Sequence, residues 1–385
     1  MKLALIGFGQ AGGKVVDEFL AFDERTDGGF VESAIAVNSA TVDLRGLENV
    51  PERNRVLIGQ ARVKGHGVGA DNELGAQITE EDVDEIQGAI DRIPVHEIDA
   101  FLIAAGMGGG TGSGGAPVLA KHLKRIYTVP VYGLGILPGT DEGGIYTLNA
   151  ARSFQTFVRE VDNLLVFDND VWRSTGESVK SGYDRINREI VERFGLLFAA
   201  GEVDEGDHVA ESVVDSSEII NTLSGGVSTI GYASETVDTG GGLLSSFIDG
   251  DDFDESQSVN RMTSLVRKAT LGRLTLPCDV SSADRGLVVA TGPADHLNRK
   301  GVERGRQWLE EETGSMEIRG GDFPNPPTDD VGAIVLLSGV TAVPRIKQLQ
   351  QVAIEAQDRT EQIRTTAHRD FDSLMDTSGE LDALF

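Results

Sequence analysis

A chain of 385 residues with 62 Asp plus Glu against 34 Lys plus Arg carries a formal net charge of −28, which disfavours nucleic acid and anionic lipid as partners. Its single cysteine, Cys278, excludes an intrachain disulfide and by itself makes no zinc site. No apolar stretch approaches the ~20 residues that cross a bilayer, and Met1-Lys2-Leu3-Ala4-Leu5-Ile6-Gly7 is too short an apolar run for a secretion signal, so a cytoplasmic protein without direct membrane insertion is expected. Only 9 of the basic residues are Lys and 25 are Arg. An ordinary acidic cytosolic protein fits these numbers. Adaptation to molar intracellular salt, where the Debye length falls to ~3 Å and self-repulsion is screened, fits the joint loss of lysine and gain of acid better.

Short apolar runs alternate with glycine-rich turns and helical stretches over the first half. Leu3–Ile6, Ala34–Val37, Ala100–Ala105, Val131–Leu137 and Leu164–Phe167 read as buried strands. Helices are predicted around Gly13–Phe22, Glu80–Ile93, Ala116–Ile126 and Asn149–Val161. This βα alternation implies a parallel sheet with helices on both faces, and ligands at the carboxyl ends of its strands. A long helix from about Tyr183 to Ala200 carries an apolar stripe, Ile186, Ile190, Phe194 and Leu197, and a charged loop Glu202–Asp207 follows it. Further strands are predicted at Ser228–Ser234, Gly286–Thr291 and Ala333–Leu337, with helices at Asn260–Leu271 and Val302–Glu312. Gly240, Gly241 and Gly242 with Asp249–Asp254 read as a solvated loop region. A last helix runs from Val343 to about Thr366 before a short acidic tail ending Leu381-Asp382-Ala383-Leu384-Phe385.

Two glycine runs carry the chemistry. Gly7-Phe8-Gly9-Gln10-Ala11-Gly12 is a G-x-G-x-x-G between a strand and a helix, where glycine lets backbone N–H groups reach phosphate and the helix N-terminus adds partial positive charge. A nicotinamide site needs an acid at the end of the next strand, but Ala34–Val37 ends in Asn38, which argues against an oxidoreductase. The run from Gly106 to Gly115 places seven glycines around Thr111 and Ser113 at a second strand-to-helix junction, read here as opening a helix at Ala116-Pro117. Two such loops at neighbouring strand ends make a double cradle for a polyphosphate. No G-x-x-x-x-G-K-[ST] occurs, which excludes a strict Walker loop. The six histidines are scattered without an H-x-x-x-H pair, so no protein metal site is indicated. Trp172 and Trp308 read as core or interface packing.

Gly108-Gly109-Gly110-Thr111-Gly112-Ser113-Gly114 matches the tubulin signature G-G-G-T-G-[ST]-G. Over roughly residues 1–345 the chain resembles the tubulin and FtsZ superfamily, and most closely the CetZ group of archaeal tubulin-like proteins. The resemblance implies GTP/GDP as ligand, with Mg2+ held mainly by phosphates and water. It implies nucleotide contacts from Gly9, Gln10, Ala11 and Gly12 in a first phosphate loop, and from Asn38 in Val37-Asn38-Ser39. A third loop with Gly69, Ala70 and Asp71 faces the terminal phosphate. The fourth contributes Gly106, Gly108, Gly109, Gly110, Thr111, Gly112 and Ser113. Glu142, in the fifth loop from Pro138, is assigned the ribose. Asn169, in Asp168-Asn169-Asp170, and Tyr183 and Asn187 on the long helix are assigned guanine.

Val213 to Glu218 resembles the loop that enters the next subunit's site in a filament, which makes Asp215 and Glu218 the catalytic pair. Their spacing alone also fits a helix cap, and they read as two carboxylates without a basic neighbour, suited to polarising a water or holding a cation. The D-x-x-E spacing is closer to alpha-tubulin than to FtsZ, Tyr146 stands where FtsZ has an arginine, and the long FtsZ linker with its adaptor-binding peptide is absent. The expected fold class is α/β: a Rossmann-like parallel-sheet GTPase domain (1–181) joined by a long core helix and connecting loop (182–204) to a second, smaller mixed-sheet α/β activation domain (205–341). A C-terminal helix and short acidic tail (342–385) complete the chain. The implied function is a cytoskeletal GTPase that polymerises head-to-tail and controls cell shape. The alternatives are an FtsZ-like division GTPase and a member that binds GTP without hydrolysing it. Self is the expected partner. Phe371, Leu374, Met375, Leu381, Leu384 and Phe385 either dock an unknown protein or form a frayed end.

Overall fold

A computed structural model describes residues 1–173, 179–202, 214–237, 251–324 and 329–356, with single positions beyond, and the side chains of 179–181 and 251–255 lie outside the description. The expectations for Glu202–Asp207 beyond Glu202, for Val213, for Gly240–Gly242 and Asp249, and for the apolar tail residues therefore fall outside the described residues. Ten strands are described: β1 (Leu3–Phe8), β2 (Val31–Asn38), β3 (Arg55–Leu57), β4 (Ala100–Gly106), β5 (Val131–Leu137), β6 (Asn163–Asp168), β7 (Val227–Thr236), β8 (Arg285–Gly292), β9 (Ile318–Pro324) and β10 (Asp330–Ser338). The helices are α1 (Gly9–Thr26), α2 (Thr41–Arg45), α3 (Gln60–Val63), α4 (Asn72–Glu81), α5 (Val83–Ile90), α6 (Thr111–Ile126), α7 (Gly144–Glu160), α8 (Asn169–Trp172), α9 (Val179–Ala199), α10 (Ser216–Thr222), α11 (Asp251–Leu271), α12 (Arg299–Thr313) and α13 (344–356).

The strands form one sheet in the order β3-β2-β1-β4-β5-β6-β7-β10-β8-β9. The first seven pair in parallel, β10 runs antiparallel to β7 and β8, and β9 is parallel to β8. The second half has the mixed strand directions expected of it, and its strands continue the parallel sheet of the first. β6 and β7 join the halves through only two register pairs, Leu164 with Val227 and Leu165 with Ser228. Asn163 strengthens that short joint by donating to the Gly225 carbonyl at 2.8 Å and to Ser338 Oγ at 3.1 Å.

Side chains alternate across the sheet with the period-2 rule. Ala4, Ile6 and Phe8 of β1 enter one core with α4–α7, α11 and α12, while Leu3 and Leu5 enter the other with α1, α9 and α10. β10 does the same at the far side, with Val331, Ala333, Val335 and Leu337 against Ile334 and Leu336. Both faces are thus covered across the central strands, which is why these read as continuous apolar runs. The predicted stripe of α9 is buried throughout: Ile186 is 2% exposed and Ile190, Phe194 and Leu197 are 0%. It packs under both halves, against Phe19 and Phe30 near Phe198 and in one core with Ile230, Leu287 and Ile334.

Besides helix starts placed a few residues late, as in α1, three predicted elements differ. The Glu80–Ile93 helix is two helices, α4 and α5, broken at Asp82, whose carboxylate accepts the Gly59 N–H at 2.5 Å. Residues 251–254, read as loop, are the first turn of α11. The third difference, at the start of α6, bears on the site.

Candidate functional site

Five strands end along one edge of the sheet, and the loops that follow them form the site. α1 begins at Gly9, directly after Phe8, with no side-chain cap, and α6 begins at Thr111 with Gly110 as an uncapped N-terminus. Both helices therefore present backbone N–H groups that no side chain satisfies, the arrangement that holds anions. The two loops seat each other. Gly9 has φ +72°, and a Cβ there would lie 2.8 Å from Gly112 N, while one on Gly112 would lie 2.9 Å from the carbonyls of Phe8 and Gly106. A Cβ on Gly12 would meet the Ala104 carbonyl at 2.0 Å. Gln10 is exposed and Ala11 half-buried above this contact.

The expected opening of α6 at Ala116-Pro117 is incorrect; the glycine run is itself helical, and Pro117 lies in the helix interior. Packing overrides glycine's poor helix propensity here. A Cβ on Gly114 would lie 2.1 Å from the Asn72 carbonyl, and one on Gly115 2.3 Å from the Phe8 ring, so only glycine lets α4 and β1 approach α6. Ser113 turns its hydroxyl back to the Gly109 carbonyl.

The other phosphate-side loops are tied to this cradle. Thr111 Oγ1 and Ser39 Oγ share a buried hydrogen bond of 2.7 Å. Asn38 is 3% exposed and folds its own turn, donating to Asp43 at 3.1 Å and accepting from the Ala40 N–H at 3.1 Å. The third loop turns through left-handed Gly67, Gly69 and Ala70, the last at φ +64°, a conformation that strains a residue with a Cβ. Asp71 then caps α4 by accepting the Leu74 N–H at 2.9 Å. Asn149 of α7, not singled out in the sequence, binds third and fourth loops together. Its amide donates to the Ala70 carbonyl at 2.7 Å and to the Gly108 carbonyl at 3.0 Å. The positions of Gly69 and Gly109 face open space.

The nucleoside-side residues also converge. Glu142 accepts the Gly139 N–H at 2.7 Å and the Tyr183 hydroxyl, and burial followed by this carboxylate pushes the phenol up. Asn187 lies half-buried one turn further along α9. Asn169 is 5% exposed, and its Oδ1 is a buried acceptor without a hydrogen-bond partner. Such an orphan fits a ligand that brings a donor. Thr140 donates from its N–H and hydroxyl to Asp170 Oδ1 at 2.8 and 3.0 Å, closing the fifth loop on the base loop. Asp168 is 2% exposed, and burial raises it to about 6 against the opposing pull of Arg345, whose Nε is 3.4 Å from Oδ2. Trp172, 3% exposed, packs in the core as expected, with the guanidinium carbons of Arg193 and Arg273 4.1 and 5.0 Å from its ring centroid.

Asp215 and Glu218 stand apart from these loops. A Cβ on Gly201 would lie 3.0 Å from Ile219 Cδ1 and 2.8 Å from Met1 N, which places α10 beside the start of β1. The phosphate loops begin at the other end of that six-residue strand, about 20 Å away at ~3.3 Å per residue. Asp215 does cap α10, accepting Ser217 Oγ at 2.5 Å and the Glu218 N–H at 2.9 Å, and these two bonds lower its pKa. Glu218 completes that cap, its carboxylate accepting the Asp215 N–H. Burial first and then the Asp215 charge raise its pKa, opposed by Arg319 and by that bond. The reading of a pair without a basic neighbour is therefore incorrect: Arg319 of β9, about a hundred residues on in sequence, supplies one. Arg319 is in register with Leu287, which packs with Ile219 on the face that α10 covers. Its Nη1 is buried without a hydrogen-bond partner.

The family model for the Tubulin/FtsZ family, GTPase domain, matches residues 2–176, and that for the tubulin-like CetZ, C-terminal domain, matches residues 176–355. The chain is 72% identical over 373 residues to the tubulin-like protein CetZ1 of Haloferax volcanii, covering 94% of each. It is similar to the solved structure of the GDP-bound CetZ1 monomer from Haloferax volcanii, with a TM-score of 0.84 and 68% identity over 93% of this chain and 100% of that one. It is also similar to CetZ2 from the same organism, solved as a GTPγS-bound protofilament, with a TM-score of 0.83 and 48% identity over 94% of this chain and 100% of that one. The chain belongs to the tubulin/FtsZ family of GTPases, in its CetZ group.

Proposed function

We propose that this protein binds GTP in the strand-end loops and assembles head-to-tail with itself, so that α10 of one subunit completes the site of the next. The observation that carries the reading is the separation of Asp215 and Glu218 from the phosphate cradle along the length of β1. A carboxylate pair about 20 Å from the loops, at ~3.3 Å per strand residue, cannot act on a nucleotide in its own subunit. A head-to-tail contact that does not close brings the two together and builds an open filament. CetZ2 of Haloferax volcanii forms a protofilament with GTPγS bound. The division proposed is a nucleotide domain (1–181), the core helix and loop (182–204), an activation domain (205–341) and the C-terminal segment (342–385).

In this reading the uncapped N-termini of α1 and α6 hold phosphate, with Mg2+ shared between phosphates and water. Asn169 and Asn187 read the guanine edge, Tyr183 stacks on it and Glu142 reaches the ribose. An amide offers both a donor and an acceptor, and a site with buried polar groups rejects analogues that leave them unpaired. Glu218 is the proton acceptor for the attacking water, its basicity raised by burial and moderated by Arg319. Asp215 stays ionised and holds the turn that presents Glu218.

Glu218→Gln tests the reading better than any change at Asp215, because Asp215 is also a helix cap. The variant should bind GTP with wild-type affinity, lose turnover and form longer-lived filaments by electron microscopy in molar KCl. Wild-type activity per molecule should rise with concentration. A diluted monomer that hydrolyses GTP as fast per molecule as the concentrated protein refutes the shared site. The cellular role proposed is cytoplasmic control of cell shape. Deletion should remove a shape transition and leave division intact, whereas division-arrested filamentous cells would support the FtsZ-like role.

A further inference from the structure

Arg345 lies in the first turn of α13, one residue after Pro344, yet its guanidinium ends among the nucleotide loops. Nη2 donates to the Pro138 carbonyl at 2.7 Å, Nη1 donates to Gln348 Oε1 at 2.8 Å, and Nε lies 3.4 Å from Asp168 Oδ2. Both partners are deeply buried, Arg345 at 7% and Asp168 at 2% exposure. Pro138 opens the loop that leads to Glu142, and Asp168 immediately precedes Asn169. One side chain thus spans the loop on the ribose side and the loop on the base side. The Thr140–Asp170 bonds close the same two loops at a second point.

Burial at this place is unfavourable for the carboxylate. Asp168 stays near pH 6 in spite of the neighbouring guanidinium. The desolvation of the pair outweighs its attraction, so the pair is poor at adding stability for its own sake. What it does add is geometric: a planar guanidinium that donates to the Pro138 carbonyl and is ion-paired with Asp168 holds the two loops at one spacing.

We infer that Arg345 is a positioning residue for nucleoside recognition, through which the C-terminal helix sets the spacing of the ribose-side and base-side loops. This rests on the reading of 138–142 and 168–170 as nucleoside loops. Arg345 touches neither base nor sugar; it fixes where Glu142 and Asn169 stand. It also gives the segment that begins at 344 a direct mechanical connection to the pocket, so displacement of α13 loosens the nucleoside without disturbing the phosphate cradle. Protonation of Asp168 does the same from within. The charged groups that face Asp168 are Arg345 from α13 and Asp170 from α8. Below about pH 6 the neutral carboxyl no longer holds the guanidinium.

The test uses the full chain in molar KCl with fluorescent GDP, and compares wild type, Arg345→Lys, Arg345→Ala and Asp168→Asn. Lysine keeps the charge but cannot reach both loops from one planar group. Arg345→Lys should stay folded by thermal unfolding and release GDP about tenfold faster, and Arg345→Ala faster still. The preference for GDP over IDP, which lacks the guanine 2-amino group, should narrow in both. The ratio of GTP to GDP affinity should not move, because the third and fourth loops are untouched. Wild-type release should quicken as pH falls through about 6, and Asp168→Asn should be fast at every pH. A folded Arg345→Lys with unchanged release and unchanged GDP/IDP preference overturns the inference; if Arg345→Ala does not fold, Arg345→Lys decides it. A wild-type protein that binds no guanine nucleotide overturns the site reading itself, and the two failures are distinct.

Discussion

Asn149→Ala should loosen the phosphate cradle from a position outside it. The amide is 1% exposed and makes two hydrogen bonds, 2.7 Å to the Ala70 carbonyl and 3.0 Å to the Gly108 carbonyl. Truncation leaves both acceptors without this donor. A buried acceptor left unpaired costs ~1–3 kcal/mol, and a partly hydrated one nearer the ~1 kcal/mol of an ordinary net hydrogen bond. The Gly108 bond is buried and the Ala70 bond is not fully so, which gives about 2–4 kcal/mol in total for folding. Affinity for GTP falls by less, since free and bound protein share most of that loss. The part that enters binding is the strain of Ala70, whose left-handed φ of +64° is held by the lost bond. A non-glycine residue in that conformation is disfavoured by roughly 1–2 kcal/mol, so a relaxed loop must regain that much on binding, a five- to thirtyfold rise in Kd. Urea unfolding and equilibrium GTP titration in molar KCl measure the two quantities separately. A variant within about 0.5 kcal/mol of wild-type stability and twofold of its affinity would show that Asn149 does not hold these loops.

Gly114→Ala should lower the unfolding free energy measured in urea by ~3 kcal/mol or more, because its Cβ would stand 2.1 Å from the Asn72 carbonyl and 2.7 Å from Ala76 N, backbone atoms that no rotamer change can move; a neutral variant would mean α4 and α6 separate freely. Arg319→Ala should shift the acid limb of GTP turnover to higher pH with GTP affinity unchanged. Glu218 is already raised by burial and Asp215, and removing the cation that opposes this sends its ionisation further up; an unmoved limb refutes Arg319 as its charge partner. At ~0.1 M KCl the Debye length is about 10 Å, so subunits of charge −28 should fail to assemble, and to fold fully, well below molar salt; circular dichroism and light scattering check this, and full folding and GTP-driven assembly at ~0.1 M KCl would refute the halophilic reading.

The central strands were legible because each is buried on both faces and reads as an uninterrupted apolar run. β3 and β9 were not. Arg55–Leu57 is three half-buried residues at an edge, and Ile318-Arg319-Gly320-Gly321-Asp322-Phe323-Pro324 has neither the run nor the alternation of a strand. Helix starts were placed too late wherever glycine filled the first turns. In α1 and α6 those glycines are demanded by contacts from distant parts of the chain, which local propensity does not contain. The glycine loops at the strand ends were visible because their glycine spacing is dense and local. Asn149, Arg319 and Arg345 were invisible because each acts across the fold, 79 residues from Ala70 in the first case and 207 from Pro138 in the last. The cap at Asp215 was legible from spacing alone, and the structure shows it directly; its pairing with Glu218 for catalysis came from the family resemblance.

The charge balance and the chemistry of the cradle explain each other. Gly9–Gly12, Gly67–Asn72 and Gly106–Ser113 contain no lysine or arginine. The arginines nearest the nucleoside side are neutralised in place, Arg173 by Asp141 and Arg345 by Asp168. A polyphosphate at this site must therefore be held by oriented backbone amides at the ends of α1 and α6, and by a cation it brings with it. In molar salt that is the more robust design. With a Debye length near 3 Å, the long-range pull of exposed lysines is largely lost, whereas amides in contact with an oxygen act inside the screening distance. An acidic surface tuned to high salt thus removes little from phosphate binding. In the head-to-tail assembly we propose, the same screening would let subunits of like charge approach closely enough for Glu218 of one to meet the cradle of the next.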